Sequence, residues 1–206
     1  CFPTASALAN SWDETLLSAV GRALGEEAVA QGVGMVLGPG VNIKRSPLCG
    51  RNFEYFSEDP LLSGKLAAAM IRGIQSTGVS ACVKHFAANS QELRRMATDS
   101  VMDERTLREI YLPAFETAVK EGGVRSLMTA YNRLNGTYCN ENEHLLRDIL
   151  RGEWGFDGLV VSDWGAAYDQ AKAIAAGNDL DMPGPRDIQP ILDAVANGSL
   201  KMEEID

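Results

Sequence analysis

Gly158-Leu159-Val160-Val161-Ser162-Asp163-Trp164-Gly165 places a carboxylate just after a fully apolar run bounded by glycines. Such a run reads as a strand buried on both faces, the habit of a parallel sheet covered by helices. A charged side chain at its C-terminal end then stands where a (β/α) barrel opens its active site. The pattern recurs upstream. An apolar run at 33–37 leads through Gly38-Pro39-Gly40 into a polar loop holding Asn42 to Glu54. A second run at 79–86 carries Lys84-His85, and a third at 124–131 ends in Tyr131-Asn132. Polar residues crowding after four separate strands is the barrel's arrangement.

Between these runs lie amphipathic segments. A capping-type start at Ser11-Trp12-Asp13-Glu14 opens a helix with Leu16, Leu17, Val20, Leu24 and Val29 at helical spacing. Further helices are predicted over 61–75, 103–121, 140–151, 168–175 and 187–196, with a kink at Pro113. Residues 89–101 read as loop, and 179–182 as a weak fifth strand. Five strands, each followed by a helix, give an α/β fold with a parallel sheet. A doubly wound sheet competes, but no G-x-G-x-x-G opens a helix after a strand. A full barrel needs about 250 residues. Residues 1–206 therefore read as one domain, an incomplete (β/α)8-type TIM barrel of five β-α units.

The composition is that of a globular protein, 45% hydrophobic and 23% charged, which excludes disorder for most of the chain. The 28 acidic against 19 basic residues give a net charge of −9. A field of that sign repels phosphate backbones and anionic membranes, so neither nucleic acid nor membrane is an expected partner. No apolar run is long enough to span a bilayer, and no charged start with an apolar stretch marks a signal peptide. Cys1, Cys49, Cys82 and Cys139 lie far apart and the chain holds two histidines, so no close-spaced ligand set exists and no metal or other cofactor is expected. Scattered thiols suit a reducing, cytosolic-type setting, although the compartment itself is not encoded in them. The start at Cys1-Phe2-Pro3 reads as that of an excised or processed piece.

Asp163 is the sharpest candidate for chemistry; its alternative role is to cap the following helix. Trp164 beside it offers an aromatic wall of the kind on which the C–H faces of sugars stack. Lys84 and His85 add a cation and an imidazole to the same mouth, against the alternative of an ion pair with a loop carboxylate. Lys84 also fits a Schiff-base lyase or aldolase. Arg51, on the loop Gly50-Arg51-Asn52-Phe53-Glu54, taken alone is a surface charge, and Tyr131 taken alone is a core tyrosine. Trp12, Trp154 and the methionines read as core.

These residues resemble glycoside hydrolase family three. Gly38-Pro39-Gly40-Val41-Asn42-Ile43, Gly50-Arg51-Asn52-Phe53-Glu54 and Ser57-Glu58-Asp59-Pro60 are similar to motifs of that family's barrel domain. So are Lys84-His85-Phe86-Ala87-Ala88-Asn89-Ser90-Gln91-Glu92 and Asp103-Glu104-Arg105-Thr106-Leu107-Arg108-Glu109, then Met128-Thr129-Ala130-Tyr131-Asn132 and Val161-Ser162-Asp163-Trp164-Gly165. They appear in family order and end at Ala176-Gly177-Asn178-Asp179-Leu180-Asp181-Met182-Pro183-Gly184. The resemblance implies that Asp163 is the nucleophile of a retaining, exo-acting β-glucosidase. It implies that Arg51, Lys84 and His85 bind the sugar in the −1 subsite, with Tyr131 near the nucleophile and Trp164 flanking the neighbouring subsite.

Two departures qualify it. The family's barrel carries an upstream aspartate that also grips the sugar, and this chain begins after that point. The Lys-His-Phe-Pro-Gly pattern of the N-acetylglucosaminidase branch is absent, since Lys84-His85-Phe86 runs into Ala87-Ala88-Asn89. The glucosidase branch takes its acid/base from a glutamate in a second domain, which becomes an expected partner alongside a β-glucoside or oligosaccharide substrate. A non-catalytic sugar-binding module is the remaining alternative.

Overall fold

The computed structural model describes residues 1–184 and 187–205. Its centre is a parallel sheet of β1 (Met35–Val36), β2 (Ser80–Phe86), β4 (Ser126–Thr129) and β7 (Leu159–Val161), hydrogen-bonded in that order. The strands form an open arc of a (β/α) barrel; the described residues do not close it. The pairing of β1 with β2 continues into the next segment: Lys84 N donates to Pro39 O at 3.1 Å and Val41 N to Lys84 O at 2.8 Å. The peptides Lys84-His85 and Phe86-Ala87 are cis.

Helices cover one face. α1 (Ala5–Ala9) was not expected; it is capped by Thr4. α2 (Glu14–Ala30) starts where predicted, with the Asp13 carboxylate accepting from Thr15 and Leu16 N. α3 (Pro60–Gln75) has Asp59 as its cap and Pro60 in its first turn. The segment expected as a helix kinked at Pro113 is broken there. α4 (Glu104–Thr106) passes into a π turn at Leu107–Tyr111, and α5 (Pro113–Lys120) follows. Pro113 has no N–H to continue the ladder, and Leu112 N reaches back to Leu107 O at 3.0 Å instead. The helix expected at 140–151 is likewise wide-turned, His144–Glu153, preceded by a 3-10 turn at Cys139–Glu141. α6 (Gln170–Ala176) and α7 (Gln189–Ala196) complete the order before a last 3-10 turn, Met202–Glu204.

Three expectations are corrected. The predicted fifth strand at 179–182 does not form; Leu180 makes a single parallel bridge to Val161. The reason lies in the flanking aspartates. Asp179 Oδ2 accepts from Val160 N at 2.6 Å, and Asp181 accepts from the Ser162 hydroxyl at 3.0 Å. These side-chain bonds flank the backbone pair of Leu180 N to Val160 O at 3.0 Å and Ser162 N to Leu180 O at 2.9 Å, and the pairing stops at one bridge. The described chain therefore has four β-α units of the arc. The predicted loop at 89–101 instead contributes β3 (Asp99–Ser100) to a small second sheet with β5 (Arg133–Leu134) and β6 (Thr137–Tyr138). Its hairpin turns on Asn135-Gly136, both at positive φ, the strongest short-range hairpin signal in the sequence. Trp12, expected in the core, stands 75% exposed, whereas Trp154 is buried against Phe86.

Period-two alternation sorts the strands into two faces. Ala81, Val83, Leu127 and Val160 face the helices, in one core with Leu17, Leu66, Ile71, Phe86 and Phe115. Cys82, Met128 and Val161 face the other way, joined by Met35 and Met182. Two residues on from Cys82 and Val161, on that same inner face, come Lys84 and Asp163.

α2 and α3 touch through glycines. A Cβ on Gly73 would lie 2.1 Å from Ser18 O, and one on Gly21 would lie 2.3 Å from Met70 O. Backbone cannot yield as a flexible side chain does. Gly73→Ala is accordingly expected to destabilise the chain by about 1–3 kcal/mol, the cost of overpacking. The urea midpoint measures it, and an unchanged midpoint would show that the helices are not seated on that glycine.

Candidate active site

Asp163 is 8% exposed at the open end of β7. Its Oδ1 accepts from Trp164 N at 2.8 Å, which ties that oxygen to the chain. Its Oδ2 has no hydrogen-bond partner among the described residues. Facing it are His85 Nε2 at 3.5 Å and Arg51 Nη1 at 3.8 Å, both beyond ordinary hydrogen-bond length. One oxygen is therefore fixed and the other is presented, which suits a group that must attack.

Arg51, Lys84, His85 and Asp163, separated by up to 112 positions, converge here, as the sequence led one to expect. Arg51 sits on the 3-10 turn Asn52–Glu54 as its cap residue. Lys84 and His85 close β2, where the register with β4 shifts between Val83 and Phe86. That irregularity is pinned by Asn42, which accepts from His85 N at 2.7 Å and donates to His85 O at 2.8 Å. Tyr131 lies two residues beyond β4, and its hydroxyl donates to Trp164 O at 3.0 Å. Burial, with the Asp163 charge beside it, pushes the Tyr131 phenol pKa up. Trp164 is 43% exposed and stands at the rim.

His85 is 1% exposed, and burial together with the charges of Arg51, Lys84 and Arg95 holds its pKa well below 6.5. The imidazole is neutral, so its contact with Asp163 is no ion pair. Its Nδ1 lies 3.0 Å from the Tyr55 hydroxyl, itself kept protonated by burial. Tyr55 O–H donating to Nδ1 leaves the proton on Nε2, the nitrogen that faces the carboxylate.

Several residues of the site carry no role in the sequence reading. Glu54 receives a hydrogen bond from Arg51 Nε and lies 3.3 Å from Lys84 Nζ. Its position three residues after Arg51, on one turn, is the signal that pairs them. Arg95 stacks on the Tyr131 ring at 4.1 Å and is held by Glu92 at 2.7 Å. Nothing in the local sequence marks it, nor Asn42 or Tyr55. Among the described residues no group of three His, Cys, Asp or Glu side chains is arranged to hold a metal ion. The four cysteines are free thiols, and burial raises Cys82 to about 11 and Cys139 to about 12.

A parallel β-α arc with a buried carboxylate and fixed cationic donors at its strand ends has the architecture of a glycoside hydrolase. The chain belongs to glycosyl hydrolase family 3, whose N terminal domain matches residues 1–206. It is 59% identical over 202 residues to thermostable beta-glucosidase B of Acetivibrio thermocellus, covering 97% of this chain and 27% of that protein. It is 48% identical over 206 residues to an exo-alpha-(1->6)-L-arabinopyranosidase of Bifidobacterium longum, covering 100% of this chain and 27% of that protein. The structure of beta-glucosidase 3B from Thermotoga neapolitana in complex with glucose superposes with a TM-score of 0.97 at 51% identity, covering 100% of this chain and 30% of that one. The chain thus spans less than a third of the length of these relatives.

The His85 environment fixes a sign for stability against pH. Its pKa is lower in the folded chain than in the unfolded one, so its contribution is fully present above about 6.5 and is lost as pH falls below that value. Melting temperature is expected to drop on acidification, and less steeply in His85→Gln. Equal slopes for the two proteins would mean that His85 does not stay neutral.

Proposed function

We propose that this chain is the nucleophile-bearing barrel portion of a retaining, exo-acting β-glucosidase that releases terminal β-D-glucosyl residues. The observation that carries the reading is the unpartnered Oδ2 of Asp163, buried and faced by Arg51 and His85. Asp163 attacks the anomeric carbon as the glycosidic bond breaks, forming a glycosyl ester that water then hydrolyses with retention. Positive charge develops on the sugar ring in the transition state, and the ionised carboxylate opposite it supplies the compensating charge. Arg51, Lys84 and the Nε2–H of His85 are donors fixed by other contacts, suited to gripping the hydroxyls of the −1 sugar. Tyr131 holds Trp164 by its carbonyl, and the indole flanks the next subsite.

A departing alcohol needs a proton. Burial favours the neutral form of Glu54, but the Arg51 hydrogen bond and the Lys84 charge outweigh it and hold the carboxyl below its usual range, so it has no proton to give near neutrality. Glu92 is engaged by Arg95 and by Asn89 at 3.1 Å. The acid is therefore assigned to a carboxyl from a further domain, brought to roughly 5–5.5 Å from Asp163 as retention requires. The length of the relatives supports such a domain. The Schiff-base reading of Lys84 is disfavoured by its ion pair with Glu54. A passive sugar-binding module would use the same oxygen to accept a sugar hydroxyl, and turnover of an aryl glucoside by the full-length protein separates the two readings.

In the full-length protein that carries this chain, Asp163→Ala is expected to lower turnover of an aryl β-D-glucoside by about three orders of magnitude or more without loss of the fold. Near-normal turnover would remove Asp163 as nucleophile. Arg51→Lys is expected not to restore what Arg51→Ala loses, because a point charge does not replace a planar fork. An aryl α-L-arabinopyranoside run beside the glucoside decides the glycone. The 206 residues alone are expected to leave cellobiose intact, while a fluorinated glucoside with an activated leaving group labels Asp163, located by mass spectrometry of the digest. Brisk cellobiose hydrolysis by the isolated chain would place the acid within it.

A further inference from the structure

We propose that Glu54 is a positioning residue that sets both sugar-binding cations and keeps one of them from closing onto the nucleophile; this rests on the glycosidase reading above. Arg51 lies on a loop turn and Lys84 on β2, and no backbone hydrogen bond joins the two residues. Glu54 is what relates them. One carboxylate oxygen takes Arg51 Nε, and the other lies 3.3 Å from Lys84 Nζ.

The Arg51 guanidinium has two carboxylates within reach, Glu54 and Asp163. A guanidinium fork pairs most strongly when two of its N–H groups meet both oxygens of one carboxylate. Such a pair with Asp163 would occupy the oxygen that attacks. Glu54 competes with it by taking Nε, which removes the side-on fork and holds the guanidinium back, with Nη1 at 3.8 Å from Asp163, beyond hydrogen-bond length. The same carboxylate offsets part of the positive charge of Arg51 and Lys84, so Asp163 is not the sole anion facing two cations. All three side chains are about four-fifths buried, where a displaced charge partner is little screened by water. The competing explanation is that Glu54 merely closes its own turn, being three residues from Arg51.

A set of monodeoxy aryl β-D-glucosides separates the two. In the full-length protein each lost hydroxyl carries a penalty in kcat/KM, and the penalty that disappears in Lys84→Ala marks the hydroxyl held by Lys84. In Glu54→Gln, with its melting temperature retained, kcat/KM for the parent glucoside is expected to fall roughly 10- to 100-fold, as for a lost charge-assisted hydrogen bond. The penalty at the Lys84 hydroxyl is expected to collapse with it, and labelling of Asp163 by the fluorinated glucoside to slow. A uniform loss with the deoxy pattern intact, or no loss at all, overturns the proposal. If Glu54→Gln does not fold, Glu54→Asp, which keeps the charge and shortens the reach, is read by the same criteria. Failure of both to fold makes Glu54 structural and also overturns it. Failure of the glycosidase reading would appear in the wild type itself, as no turnover of any aryl glycoside. Calorimetric binding of glucose and its deoxy analogues to wild type and Glu54→Gln then decides the clamp.

Discussion

Everything at the mouth of this arc follows from placing one carboxylate where little water reaches it. A lone buried anion is expensive, and proteins accommodate it with nearby opposite charge and hydrogen bonds. Full pairing would be the stable solution, but it would leave neither oxygen open to a substrate. Asp163 is stabilised incompletely. One oxygen is anchored to the Trp164 amide, and the other is watched at a distance by Arg51 and His85. Each of those groups is in turn held by something else: Arg51 by Glu54, His85 by Tyr55 and by the Asn42 clamp on its backbone. Partial compensation at Asp163 is possible because full satisfaction is arranged one step further out.

The scaffold makes that arrangement rigid. β7 is strapped from below by the 177–184 segment, where Ser162 N donates to Leu180 O at 2.9 Å and Met182 N to the Ser162 hydroxyl at 2.8 Å. Gly165 N adds a bond to Met182 O at 2.8 Å, so the tripeptide bearing Asp163 is fixed on both sides. Beneath it the inner face is lined with Met35, Cys82, Met128 and Met182, adaptable side chains that fill an irregular space without adding polar groups. The helix layer on the opposite face is packed through glycine contacts and a continuous apolar core, which leaves the strand ends free to carry charge.

Much of this was legible in the residues. Apolar runs followed by polar clusters gave the parallel strands and put Asp163, Lys84 and His85 at their ends, because period-two alternation fixes a face once the strand is known. The misreadings have local causes. Residues 179–182 carry strand-like composition, yet Asp179 and Asp181 bond to β7 through their side chains, an option that hydrophobic periodicity does not register. The small second sheet is made of two-residue strands, too short to show a period, and only Asn135-Gly136 announced it. Trp12 follows the rule that a tryptophan is core only as an average, and its turn turns it outward.

The sequence by itself determined the family through its ordered motifs and the class of fold through strand and helix periods. Those periods set Asp163, Lys84 and His85 at strand ends, and Arg51 joined them through the family resemblance. Tertiary structure alone decided what each group does there. That His85 is neutral with its proton on Nε2, that one oxygen of Asp163 is tied and the other presented, and that Glu54 stands between two cations depend on neighbours 1 to 112 residues away in the chain. Charge state and hydrogen-bond direction are properties of a local field, and that field exists only after the chain has brought its distant parts together.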